Sequence, residues 1–213
     1  MTALVAIPDE HRFEVERTLA INAMEIFQKE GASAFEMPRE AAAIHEAGHC
    51  IIGKLNGFKI KKVSIFEKTL PAAEAAFRGY DKVWYGRTEE SPQRRWEVGP
   101  SANASDDLKR AQFVIAGLAV EAMSQWKREG SSLDELALSQ LIAAEAARKL
   151  GVDAKQLWNS EVWKLTILTC RHNLEVIDKI ADRLLKVGSI TGSVLGEMLN
   201  EVKSLPAGEE VAA

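Results

Sequence analysis

The sequence predicts a mostly α-helical domain that carries a small β-sheet, an α+β arrangement. Three observations lead there. Long stretches repeat apolar residues at helical spacing, above all Ser105 to Lys127 and Asp153 to Val187. Only two short runs, around Val63 and around Trp84, gather β-branched and aromatic residues as strands do. The chain has 213 residues, 46% of them apolar and 27% charged, an ordinary globular balance and enough for one good core with a small subdomain.

The elements follow in order. Asp9 to Lys29 sets Phe13, Leu19, Ile21, Ile26 and Phe27 among charges, so it reads as an amphipathic helix ending at Gly31. Residues 1–35 are therefore expected to form an N-terminal helical extension. Pro38 suits a first helical turn, and Arg39 to Leu55 contains no further proline. Ala42, Ile44, Ile51, Ile52 and Leu55 give that helix a buried side. Glu46 is its one formal charge between Ala41 and Gly53, which suits a helix packed inside a domain. Gly48 costs about 1 kcal/mol relative to alanine and would let another backbone approach closely. Lys59 to Phe66 reads as a strand through Ile60, Val63, Ile65 and Phe66, and Asp81 to Arg87 as a second through Val83-Trp84-Tyr85. Glu89 to Asn103 is polar, with Pro92 and Pro100, and reads as a loop near the cleft. Its Arg94 and Arg95 read as solvated charge.

Ser105 to Lys127 puts Val114, Ile115, Leu118, Ala119 and Met123 on one side of a helix. Ser132-Leu-Asp134-Glu135 has the form of a capping box that opens a helix ending near Leu150-Gly151. Asp153 to Val187 supplies more helix, with Trp158, Trp163, Leu165, Leu168, Ile177, Ile180 and Leu184 at core spacings. Thr191 to Ser204 is a last short helix, and Pro206 to Ala213 a loose tail.

Within the second helix stands His45-Glu46-Ala47-Gly48-His49, an H-E-x-x-H pattern. Residues four apart lie on one helical face, so both imidazoles can grip one metal ion, with Glu46 placed beside it. Zinc suits the pattern, because a hydrolase needs an open coordination position for water. A third protein ligand is then required. Asp134 falls in a first helical turn, where it could simply favour the helix dipole. Glu121 is open either as an acceptor that orients a ligand imidazole or as the third ligand itself. Cys50 adjoins His49, but neighbouring helical residues point about 100° apart, so it reads as a buried structural thiol. Gly48 to Leu55 comes within one residue of a phosphate-binding loop. Leu55 stands where Ser or Thr must hold magnesium, and no strand precedes it, so no nucleotide binding is expected.

The run Glu40-Ala-Ala-Ala-Ile-His45-Glu46-Ala-Gly-His49-Cys-Ile-Ile-Gly53 resembles the peptidase helix of FtsH-type ATP-dependent zinc metalloproteases, whose motif reads H-E-A-G-H. Further segments follow in the family's order. Lys61-Lys-Val-Ser-Ile-Phe66 resembles the next strand. Ile115-Ala-Gly117-Leu-Ala-Val-Glu121-Ala resembles a glycine-rich helix, and Gly130-Ser-Ser-Leu-Asp134 the segment that supplies the third zinc ligand. The final helices, with Ile190-Thr-Gly192, resemble the family's C-terminal region. The resemblance spans roughly residues 36–205 and implies a zincin-like metal helix, a short sheet and a C-terminal helical bundle. It implies zinc on His45, His49 and Asp134, Glu46 as general base, and Glu121 behind a ligand. It also implies that Val63, Ser64 and Ile65 hold a peptide along a free strand edge, a mode in which backbone hydrogen bonds bind substrate with little sequence demand. The chain departs from the family in having neither the AAA+ ATPase module nor membrane helices. Leu133 also replaces the polar residue usual before the aspartate.

The expected activity is zinc-dependent hydrolysis of peptide bonds in unfolded or flexible polypeptides. Two other classes stand beside it: a zinc-binding regulatory module that no longer cleaves, and a zinc hydrolase of a non-peptide substrate. The intact Glu46 favours an enzyme. A separate ATPase or adaptor and a homo-oligomer are the protein partners to test. The net charge of −4 gives no reason to expect nucleic acid. No apolar run approaches the roughly 20 residues of a membrane span, and the N-terminus lacks the basic start of a signal peptide. The isolated cysteines suit a reducing compartment, so a cytoplasmic location is expected.

Overall fold

A computed structural model of the chain describes residues 21–26, 28, 29, 31, 37–91, 103–125 and 132–206. The N-terminal helix falls mostly outside the described residues, although residues 21–26, 28 and 29 are helical. Arg94, Arg95, most of the loop around them and the tail beyond Pro206 also lie outside.

The fold is mostly helical with a small antiparallel sheet, as expected. Helix α1 (Arg39–Leu55) lies at its centre, starting at Pro38, whose φ of −68° and ψ of 162° set the N-cap. Every residue from Ala41 to Gly53 except Ile44 is buried, so the burial extends well beyond the single side that the apolar pattern predicts. The surrounding elements explain this. Strands β1 (Lys59–Thr69) and β2 (Lys82–Ser91) cover one side of α1, and helices α3 (Ala104–Met123) and α7 (Leu174–Val187) cover others. A short helix α2 (Ala72–Arg78), which the sequence reading passed over, joins the two strands and ends at Gly79 in the left-handed region, φ 78°.

Gly48 has the close-approach role its position suggests. A β-carbon there would lie 2.7 Å from both the Ala116 carbonyl oxygen and Val120 Cγ2 of α3. Bare backbone at Gly48 therefore lets α1 and α3 meet, which offsets its low helix propensity.

Helix α4 (Leu133–Leu150) packs against α3, and Gly151 ends it with φ 69°. Helix α5 (Ala154–Leu157) continues through a π-helical stretch, Trp158–Lys164, into α6 (Leu165–His172). After α7 come β3 (Ser189–Thr191) and α8 (Gly192–Leu199). Two apolar clusters result. One joins α1, the inner sheet face and α7 through Ile51, Val63, Ile177, Ile180 and Leu184. The other joins α3, α4 and the π-helical stretch through Ile115, Leu138, Ile142 and Val162. Fully buried side chains of this size each contribute about 1.5–3 kcal/mol. No described helix is long and apolar enough to cross a membrane.

The strand order is β2-β1-β3, all antiparallel. This corrects the expectation of a free edge along β1. That strand pairs with β2 along its length and with β3 from Lys62 to Ser64, and the Ile65 N–H donates to the Gly188 carbonyl at 2.9 Å. Val63 and Ile65 are buried core residues on the inner face, and Ser64 is registered between Arg87 and Ser189. The residues Ser189 to Thr191, of which Thr191 reads as the start of the last helix, form the strand that closes this side. Among the described residues, the sheet edge near α1 belongs to β2.

Candidate metal centre

His45 and His49 stand one turn apart on α1 and face α3 and α4. Their Nε2 atoms are 3.0 Å apart. Glu135, in the first turn of α4, brings Oε1 to 3.2 Å from His45 Nε2 and 3.4 Å from His49 Nε2. Among the described residues these three form the group able to hold a metal ion. Zinc–ligand distances of about 2.0–2.1 Å in a tetrahedron require ligand atoms roughly 3.3 Å apart, which matches the observed triangle.

The outer ring nitrogens are committed. The Nδ1–H of His45 donates to Glu121 Oε1 at 2.5 Å, and the Nδ1–H of His49 donates to the Phe113 carbonyl at 2.8 Å. Each such bond fixes the tautomer with a bare Nε2 turned inward. With both rings neutral, two lone pairs and a carboxylate meet in a buried space, and Glu135 Oε2 is itself buried with no hydrogen-bond partner among the described residues. This donor set fits a divalent cation of zinc's preferences. The same crowding is felt by protons. Burial opposes the imidazolium of His45, but Glu135 and Glu121 outweigh it and hold its pKa well above the usual value. His49 is raised likewise, against burial, chiefly by Glu135. Burial favours the neutral form of Glu135, and the two histidines overcome it and hold the carboxyl far below its usual range.

Asp134 does not join this group; the next residue, Glu135, stands there instead. The cause is local. Ser132 adopts φ 55°, the one left-handed conformation of a non-glycine among the described residues, and its side chain makes no capping bond. That overturns the expected capping box, in which Glu135 would reach back to Ser132. The glutamate is free to face α1, and a rotation of about 100° per residue turns Asp134 elsewhere. Burial raises the Asp134 pKa, and the neighbouring Glu135 charge adds to this. Glu121 takes the orienting position behind His45 rather than a place in the triangle.

Glu46 points from α1 toward the sheet. Thr88 Oγ1 on β2 donates to its Oε2 at 2.6 Å. Burial raises the Glu46 pKa, while the two histidines and Thr88 pull it back. Two glycines make room for these side chains. A β-carbon at Gly86 would lie 2.1 Å from Glu46 Cγ, and one at Gly117 would lie 2.2 Å from His45 Cε1. Gly117 and Glu121 are one turn apart on α3, so one residue admits the imidazole and the other binds it. Cys50 is buried, and its sulfur lies 4.0 Å from Thr88 Oγ1, away from the histidine nitrogens.

Sequence reasoning missed Glu135, Thr88 and Gly86. A glutamate beside Asp134 was visible, but the phase of α4 was not. The stretch Gly48–Leu55 lies wholly within α1, which agrees with the reading that it is no phosphate-binding loop. No known protein-family model and no curated protein sequence matches the chain.

Proposed function

We propose that this chain is a zinc metalloendopeptidase of the FtsH peptidase type, acting on unfolded or flexible polypeptides. The observation that carries the reading is the convergence of His45 Nε2, His49 Nε2 and Glu135 Oε1 within 3.0–3.4 Å, with the carboxylate of Glu46 on the same helix. Zinc held by these three residues would polarise a carbonyl and bring a water's pKa near neutrality. Glu46 accepts the proton of the attacking water and delivers it to the leaving amine. Its burial suits this task, because a raised carboxyl pKa brings the group closer to working pH. Glu121 and the Phe113 carbonyl keep both imidazoles in the required tautomer.

Substrate binding falls to β2. The Trp84 N–H points away from β1 and donates to the Met37 carbonyl at 3.2 Å. Backbone groups alternate along a strand, so those of Gly86 and Thr88 point the same way, on the edge next to Glu46. An extended peptide added there would be held by its backbone, with little demand on its side chains.

The deciding experiment is digestion of unfolded casein by the zinc-loaded chain, the metal-free chain and the Glu46→Gln variant. Cleavage by the first alone is expected. Zinc binding with no cleavage by any of them would replace this reading with that of a zinc-binding interaction module.

A further inference from the structure

The carboxylate of Glu46 has one hydrogen-bond donor among the described residues, the Thr88 hydroxyl at 2.6 Å from Oε2. The Glu46 backbone carbonyl is a second acceptor for the same hydroxyl, at 3.4 Å, but the shorter, charge-assisted bond to the carboxylate dominates. On its other side the carboxylate lies against Gly86, where any β-carbon would come within 2.3 Å of Oε1. Gly86 and Thr88 are two apart on β2 and face α1 together. The carboxylate therefore sits in a slot with bare backbone at one end and a hydroxyl at the other. Threonine is stiff about χ1, and Thr88 is registered against Val63 of the central strand, so the sheet fixes the position of the hydroxyl. Behind it, Cys50 Sγ lies 4.0 Å from Oγ1. The weak thiol donor can serve the threonine oxygen and leave the hydroxyl proton for Glu46.

We infer that Thr88 is the positioning residue of Glu46: its hydroxyl anchors Oε2 and leaves Oε1 as the oxygen that takes and gives up protons. The inference rests on the peptidase reading for its kinetic consequence, but the anchoring contact can be tested without it. In Thr88→Val the shape is kept and the donor is lost; in Thr88→Ser the donor returns. With zinc-loaded protein and a flexible peptide substrate, Thr88→Val should lower kcat about 10- to 100-fold, the scale set by loss of an orienting partner. KM, zinc content and melting temperature should stay near wild type, and Thr88→Ser should recover kcat to within about threefold. In metal-free protein, the Thr88 hydroxyl proton should appear in NMR as a slowly exchanging resonance with a cross-peak to the Glu46 γ-methylene, and Glu46→Ala should abolish its protection. Wild-type kcat in Thr88→Val, or an equal loss in Thr88→Ser, would overturn the positioning role. A rapidly exchanging hydroxyl would overturn the contact itself. Absence of cleavage by the wild-type chain would instead remove the peptidase reading, and the hydroxyl resonance would still decide the contact.

Discussion

Gly117 lies directly against the ring of His45: a β-carbon added to it would stand 2.2 Å from Cε1 and 2.3 Å from Nε2. Real β-carbons essentially never come within 3.0 Å of such atoms. Gly117→Ala should therefore push the imidazole off Glu121 and out of line with His49. Overpacking of this kind costs about 1–3 kcal/mol, and zinc affinity should fall at least about tenfold as the oriented tautomer is lost. Melting temperature and chelator competition together check this. Wild-type zinc affinity in the variant would mean the ring has another place to go.

The third ligand is tested by three alanine variants. Glu135→Ala should lose stoichiometric zinc, because two imidazoles alone leave the site short of a catalytic zinc's usual ligand count. Asp134→Ala should keep it. Glu121→Ala should bind zinc about 10- to 100-fold more weakly, the usual effect of removing an orienting partner. Metal analysis that found zinc kept in Glu135→Ala and lost in Asp134→Ala would reverse the assignment.

Ser64→Pro should unfold the domain rather than selectively impair cleavage. Ser64 belongs to the central strand, registered against Arg87 and Ser189, and proline both removes a ladder donor and is excluded from such positions. Loss of the cooperative melting transition is the expected result. A folded variant with zinc intact and cleavage reduced would restore β1 as a peptide-binding edge.

Cys50 and Cys170 are both fully buried, and burial pushes both thiols up, Cys170 to about 12. In the native protein near pH 8 neither should react with iodoacetamide, since the thiolate is the nucleophile; both should react after denaturation. The linkage has a definite sign. Above about pH 9 the unfolded Cys170 gives up its proton while the folded one keeps it, so this thiol lowers stability as pH rises from about 9 to 12. Rapid native labelling of Cys170 would show that the packing around α6 opens readily.

Much of the molecule was legible from local pattern. Helix boundaries at Pro38, Leu55 and Gly151 follow from proline, periodicity and a glycine C-cap, all written within a few residues. The histidine pair was equally readable, because four-residue spacing on a helix fixes which side chains share a face. The same logic placed Glu46 next to the pair. Local pattern also marked two strands, though it stopped short of Thr69 and Ser91.

What escaped were relations between segments distant in the chain. Whether β1 is an edge or a centre depends on Ser189 to Thr191 returning to pair with it, and three residues carry almost no strand signal of their own. Whether Asp134 or Glu135 meets the histidines depends on the phase at which α4 begins, set by Ser132 at φ 55°. A neighbouring residue differs by about 100° of rotation, which separates a ligand position from a bystander. The spaces that Gly86 and Gly117 leave for Glu46 and His45 exist only once the sheet and α3 are packed on α1. The sequence by itself determined the long helices on either side of the sheet and the H-E-x-x-H face, because those rest on spacing along one element. Packing among elements decided which carboxylate meets the two histidines, which strand lies at the centre of the sheet and the grip on Glu46, because each needs atoms that only the folded chain brings together.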